Sequence, residues 1–267
     1  MKLSEAKEIL KGSGVEDYAY DAREIFIEIG GIPRRDTVGF DPECNDPALI
    51  DAISRRAARE PLQYILGYAY FYKERYSVSR ECLIPRSDTE VLVDYAVKNI
   101  APGSRILDLC TGSGCVAIST LVNTVGTSAH LVDISDGALS VARKNARDNG
   151  VFHRASFEIC DLMKGFPEGA WHAILSNPPY VSDSAYEKLE REISHEPKAA
   201  FVGGSDGADF YRVLIPACKE HLMPSGFMAF EIGYDQAQIL MDIAEENRLS
   251  CDIMRDLGNN PRVAVLK

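Results

Sequence analysis

From Pro85 to the C-terminus the chain repeats one alternation, a short apolar run rich in β-forming residues followed by a helical stretch. The runs are "RILDLC", "AHLVDI", "SFEICDL", "HAILSNPP" and "GFMAFEIG". Segments such as "DGALSVARKNARDNG" and "GADFYRVLIPACKEHL" separate most of them. Strands joined through helices pair in parallel, and a parallel sheet must be covered on both faces. The pattern therefore predicts an α/β fold. Ligands of such sheets bind beyond the carboxyl ends of the strands, so the residues just after each run are the ones to inspect for chemistry.

The first 60 residues read as helices instead. "DYAYDAREIFIEIG" places Tyr18, Ala22, Ile25, Phe26 and Ile29 on one face, and Gly30-Gly31-Ile32-Pro33 stops it. In "NDPALIDAISRRAARE", Asp46 is the expected N-cap and Pro47 the first helical residue. "GYAYFYKERYSV" reads as a hairpin broken at Lys73-Glu74. Ser87 and Glu90 stand at capping-box spacing before "VLVDYAVKNI". The expected organisation is a helical N-terminal domain over 1–66, a hairpin linker over 67–84 and the sheet domain over 85–267.

Composition removes several function classes. No run of 18 apolar residues occurs among the 267, and the start "MKLSEAKEIL" lacks the apolar core of a signal peptide. Seven cysteines, odd in number and without CxxC, point to reduced thiols in a cytoplasmic protein rather than a disulfide framework or zinc site. Five histidines without HxxxH spacing argue against a metal centre. The net charge of −11 is the wrong sign for a phosphate-gripping face, so direct nucleic-acid binding is not expected.

Two strand-terminal motifs carry the chemistry. In "DLCTGSGCVA", Gly112 and Gly114 allow close backbone approach to a ligand, and the helix behind them favours an anionic group. Asp133 ends the next strand, where a carboxylate accepts from both ribose hydroxyls of an adenosine. Gly112 to Ala117 also satisfies the dinucleotide fingerprint GxGxxG/A. Asp108 favours S-adenosylmethionine, because a carboxylate there attracts a cationic amino acid end and repels a pyrophosphate. Asp161 and Leu162 follow the third run, either meeting an adenine or, for Asp161, capping the next turn.

The second motif is Asn177-Pro178-Pro179-Tyr180. A planar NH2 group is a poor nucleophile because its lone pair is delocalised. Two oxygen acceptors aimed at its hydrogens return electron density to nitrogen and stabilise the charge that develops there. The Asn177 side-chain oxygen and the Pro178 carbonyl are candidates, the latter directed by a fixed φ. Tyr180 is expected to stack on the planar group and align it with the methyl–sulfur axis.

Together "DLCTGSG", Asp133, Asp161 and "NPPY" resemble the class I S-adenosylmethionine-dependent methyltransferases that act on amino or amide nitrogen. "REPLQYILG" (59–67), "LIPRSDTE" (83–90), "HEPKAAFVGGSDGADFYR" (195–212) and "EIGYDQ" (231–236) narrow the resemblance to the HemK/PrmC family. These are the protein-(glutamine-N5) methyltransferases of peptide chain release factors. The resemblance implies a Rossmann-like sheet whose reversed final strand is "RVAVL" (262–266), with a small helical lead domain that recognises the release factor. It implies cofactor contacts from Cys110, Thr111, Gly112, Ser113, Gly114, Asp133, Asp161, Leu162 and Asn177. The substrate glutamine, at the Gly-Gly-Gln tip of a class I release factor, is then held by Asn177, Pro178, Pro179 and Tyr180. Two positions depart from the family pattern: Cys110 stands where the loop usually begins with Gly, and Ser87 replaces a proline. An adenine-N6 methyltransferase would use the same clamp on an aromatic amine.

Overall fold

The computed structural model describes residues Met1–Lys267, which divide into two compact units. One is Met1–Tyr68 with Glu190–His195, and the other is Ala69–Leu189 with Glu196–Lys267.

The first unit is built on α1 (Leu3–Gly12), α2 (Tyr18–Glu28), α3 (Pro47–Ala57) and the short α4 (Leu62–Leu66). Helical spacing gathers Ala22, Ile25 and Phe26 on one face, where they are fully buried with Leu10, Leu49 and Ile53. The start of α3 is as the sequence predicts: Pro47 opens it and the Asp46 carboxylate accepts from the Ala48 amide at 2.8 Å. Arg56 is buried in this unit, and its charge is met by Asp21 at 2.7 Å and Glu192 at 3.3 Å.

A hairpin, β1 (Tyr68–Phe71) and β2 (Glu74–Ser77), turns at Tyr72-Lys73 and packs within the second unit. The buried Glu74 carboxylate accepts from Ser119 at 2.7 Å and Asn123 at 3.1 Å, and the Ser77 amide donates to Asn145 Oδ1 at 2.7 Å. The expected Ser87/Glu90 capping box does not form. Ser87–Thr89 is a single 3-10 turn, α5 (Glu90–Asn99) follows, and Glu90 Oε1 instead accepts from the Tyr72 amide at 2.8 Å. A tertiary partner outcompetes the local cap.

The remaining elements alternate as expected: β3 (Arg105–Leu109), α6 (Cys115–Val122), β4 (Ser128–Asp133), α7 (Asp136–Asp148), β5 (Ala155–Ile159), β6 (Trp171–Ser176), the single-turn α8 (Asp183–Tyr186), α9 (Asp209–His221), β7 (Leu222–Glu231), α10 (Ala237–Glu246), β8 (Cys251–Arg255) and β9 (Pro261–Leu266). Seven strands form one sheet in the order β5-β4-β3-β6-β7-β9-β8. β3 to β7 pair in parallel, and β9 runs antiparallel to both β7 and β8, the reversed strand expected at 262–266.

Period-two alternation sorts the central strands into two cores. Ile106, Ala173, Leu175, Phe227, Ala229, Val263 and Val265 meet α5, α6 and α7 on one face. Leu107, Ile174, Met228, Phe230, Ala264 and Leu266 meet α9 and α10 on the other. The strand order reverses between β3 and β6, so a cleft opens beyond the carboxyl ends of these two neighbours.

Candidate active site

Leu109 and Ser176 are register partners at the ends of β3 and β6, and the Ser176 hydroxyl donates to the Leu109 carbonyl at 2.8 Å. Each strand then leaves the sheet into one of the two motifs. The glycine loop and the Asn-Pro-Pro-Tyr segment, far apart in sequence, thus become lateral neighbours.

A cavity of about 230 Å³ lies over this junction. Its wall includes Cys110, Thr111, Gly112, Ser113, Asp133, Asp161, Leu162, Asn177 and Pro179, together with Arg86, Thr89 and Asp108. Gly114, Pro178 and Tyr180 are not part of that wall. Gly114 starts α6 at φ +81°, and a Cβ there would press against Ile118, Ala142 and Leu131. The missing side chain lets loop and helix pack closely.

The loop is organised by two carboxylates. Asp133 Oδ2 accepts from the Gly112 amide at 2.8 Å and Oδ1 from the Ser135 amide at 3.0 Å. Burial raises its pKa and these backbone donors oppose the rise. Asp108 is almost fully buried; its Oδ2 accepts from the Thr111 hydroxyl at 2.5 Å and the Ala117 amide at 3.3 Å. Burial pushes Asp108 up to about 7, against the pull of those two donors. Its native pKa exceeds its unfolded one, so the folded protein holds a proton that the unfolded chain releases. Asp108 therefore costs stability progressively as pH rises from about 4 to about 7.

Cys110, the departure from the family pattern, adopts φ +56°. That left-handed backbone is what a glycine supplies freely, and a cysteine adopts it at a cost of about 1–2 kcal/mol. Asp161 lines the cavity while Oδ1 caps the turn at the Met163 amide, 3.1 Å away, and Oδ2 pairs with Lys164 at 2.6 Å. Lys164 holds its pKa low.

At the other motif, Asn177 Nδ2 donates to Thr89 Oγ1 at 3.2 Å. That bond leaves Oδ1 as the free end of the amide. The Tyr180 hydroxyl turns to Glu231 Oε1 at 3.3 Å, and its ring packs with the core beneath α9. The Tyr180 side chain thereby anchors the motif to β7. The backbone is held as well: Gln236 Nε2 donates to the carbonyls of Tyr180 and Gly207, at 3.0 and 3.1 Å. Gly207 lies at φ +77°, where a Cβ would overlap the Tyr180 carbonyl. Gly207→Ala should cost about 3 kcal/mol, from left-handed strain plus overlap with rigid backbone, a fall in Tm of roughly 6–12 °C by calorimetry.

Sequence reasoning did not assign Thr89, Gly207, Glu231 and Gln236, although the quoted stretches "LIPRSDTE", "HEPKAAFVGGSDGADFYR" and "EIGYDQ" contain all four. It also left open whether Arg86 and Glu90 shape the pocket or anchor a helix. Arg86 pairs with the buried Glu196, whose Oε2 accepts from the Ile84 amide at 2.9 Å, and so fixes the cavity rim.

Residues 2–67 match the PrmC N-terminal domain and residues 87–205 the Methyltransferase small domain. The release factor glutamine methyltransferase of Thermodesulfovibrio yellowstonii is 34% identical over 92% of this chain and 91% of its own. That of Caulobacter vibrioides is 36% identical over 97% and 93%. The chain belongs to the release factor glutamine methyltransferase family. Among solved structures, a methyltransferase from Pyrococcus furiosus superposes with a TM-score of 0.55 at 16% identity, covering 72% of this chain and 87% of that one. That likeness supports the class I methyltransferase fold.

For a release factor glutamine methyltransferase the cofactor is S-adenosylmethionine, and the cavity fits it. A Cβ added to Gly112, at φ +55°, would meet nothing within 4 Å, so the absent side chain leaves open space beside the Asp133 carboxylate. Bound there, the cofactor supplies a methyl group on a sulfonium sulfur. Asp108 lines the cavity and would be the nearby counter-charge for its ammonium end. Its ionised form favours that cation, so cofactor affinity should fall as pH drops from 8 through about 7. Titration calorimetry of the wild type and of Asp108→Asn checks this, with a flat profile expected in the variant.

Proposed function

We propose that this protein methylates the side-chain amide nitrogen of the glutamine at the Gly-Gly-Gln tip of class I peptide chain release factors, using S-adenosylmethionine. One observation carries the reading. The Asn177 amide sits at the end of β6, one strand from the Gly112–Asp133 pocket, with its nitrogen tied back and its oxygen free.

A glutamine amide entering here meets acceptors rather than donors. Asn177 Oδ1, with the Pro178 carbonyl, receives its two N–H groups and raises electron density on nitrogen. As nitrogen forms its bond to the methyl carbon it becomes cationic and acidic. The proton it then loses passes to water, so no strong base is required. The cofactor pocket is assigned to Cys110 through Gly114, Asp133, Asp161 and Leu162, and the substrate side to Asn177–Tyr180, with Tyr180 anchoring the segment.

Residues 1–66 are assigned to recognition of the release factor, 67–84 to the connecting hairpin and 85–267 to catalysis. No helix is long and apolar enough to cross a membrane. We place the activity in the cytoplasm, where release factors act. The acidic chain favours a protein over a nucleic-acid substrate.

Incubating the protein with labelled cofactor and a release factor, followed by mass spectrometry, tests the assignment. One methyl group on the glutamine of the Gly-Gly-Gln tip is expected. Label appearing only on DNA or RNA would reject it in favour of an adenine amino methyltransferase.

A further inference from the structure

Beneath Asn177 lies a buried carboxylate that the transfer itself does not use. Glu231, at the end of β7, is 1% exposed, and its Oε2 is buried without a hydrogen-bond partner. A bare buried carboxylate oxygen is costly and calls for a reason. Around it stand the phenols of Tyr180 and Tyr211, the Arg262 guanidinium from β9, Asp88 from the turn before α5, and the Cys115 thiol of α6. Arg262 is itself paired with Asp88 and Asp256, both at 3.1 Å. The Thr89 hydroxyl lies close enough to this carboxylate to stabilise its charge, although the resting geometry leaves Oε2 unpaired.

Thr89 is therefore the link. Its oxygen accepts from Asn177 Nδ2 at 3.2 Å, so its single proton remains available for Glu231. We propose that Glu231 and Thr89 are positioning residues that lock the polarity of the Asn177 amide, keeping Oδ1 rather than Nδ2 toward the substrate nitrogen. The proposal deepens the assignment of Asn177 as an acceptor and rests on it.

The direction of the chain of bonds comes from hydrogen-bond inventory. An ionised carboxylate only accepts, so a bond closed between the two has Thr89 donating to Glu231 and accepting from Asn177. A protonated Glu231 donates to Thr89, freeing the threonine proton to reach Asn177 Oδ1. The amide then turns over and presents two N–H groups to a substrate that also brings two. Burial raises Glu231 to about 7, with Thr89, Arg262 and Tyr180 pulling the other way. Burial also raises Tyr180, Tyr211 and Cys115, so none of these phenols and thiols competes with Glu231 in that range.

The experiment measures kcat against a release factor at saturating cofactor from pH 6 to 8.5, together with cofactor Kd by titration. Thr89→Val should lower kcat about 30-fold, and Thr89→Ser should stay within about threefold of wild type. Cofactor Kd should change by less than about threefold in both. Wild-type kcat should fall below pH 7, and Glu231→Gln, which no longer titrates, should lose that limb and run about tenfold slower throughout. Should Thr89→Val not fold, the Glu231→Gln profile decides alone. The polarity lock is overturned if Thr89→Val keeps wild-type kcat, or if Glu231→Gln keeps the acid limb, while Asn177→Ala is inactive. Full turnover in Asn177→Ala would instead remove the acceptor assignment itself.

Discussion

Asn177→Ala lowers kcat by about 10²- to 10³-fold while leaving the melting temperature within a few degrees of wild type. The magnitude is that of losing one preorganised dipole aimed at developing charge, about 3–4 kcal/mol. The fold should tolerate the change because the segment is anchored elsewhere. Gln236 holds the Tyr180 carbonyl, the Tyr180 hydroxyl reaches Glu231, and the Val181 amide donates to the Phe201 carbonyl at 2.8 Å. Steady-state kinetics with a release factor, paired with calorimetry, separates the two effects. Turnover within threefold of wild type would show that the Asn177 oxygen does not polarise the substrate amide.

The second large effect belongs to Asp133→Asn, which should weaken S-adenosylmethionine binding about 100-fold. Ribose recognition alone predicts a smaller loss, since asparagine keeps one acceptor oxygen. Here, however, both carboxylate oxygens already accept backbone amides, one from Gly112 and one from Ser135. An asparagine must turn its NH2 toward one of these N–H groups, leaving two donors opposed and the loop displaced. Losing a charge-assisted bond and stranding a buried donor together cost about 3 kcal/mol. Equilibrium titration with the cofactor measures it, and an affinity within fivefold of wild type would mean that Asp133 neither shapes the loop nor meets the ribose.

The parts of this molecule written in local sequence were legible. Alternating runs gave the sheet, "DLCTGSG" and "NPPY" marked the ends of β3 and β6, and Asp46-Pro47 marked a helix start. What escaped depends on lateral neighbours. Thr89 meets Asn177, and Tyr180 meets Glu231, only because α5, β6 and β7 lie side by side, and nothing in any one segment announces these meetings. The Ser87/Glu90 box failed for a related reason, since the Tyr72 amide of the hairpin claims the Glu90 carboxylate first. The anchoring of Tyr180 was missed because the tetrapeptide alone does not reveal a buried acceptor beneath it. Cys110 illustrates the reverse: the departure was visible in the letters, and the left-handed backbone that makes glycine usual there was not.

The pairing of Leu109 with Ser176 gives the catalytic centre a built-in gauge. The roots of the cofactor loop and of the Asn-Pro-Pro-Tyr segment are held one inter-strand spacing apart, about 4.8 Å, a length set by backbone hydrogen bonding. A change in what the site grips can then be written into the segments that overhang the strands without moving their two roots apart.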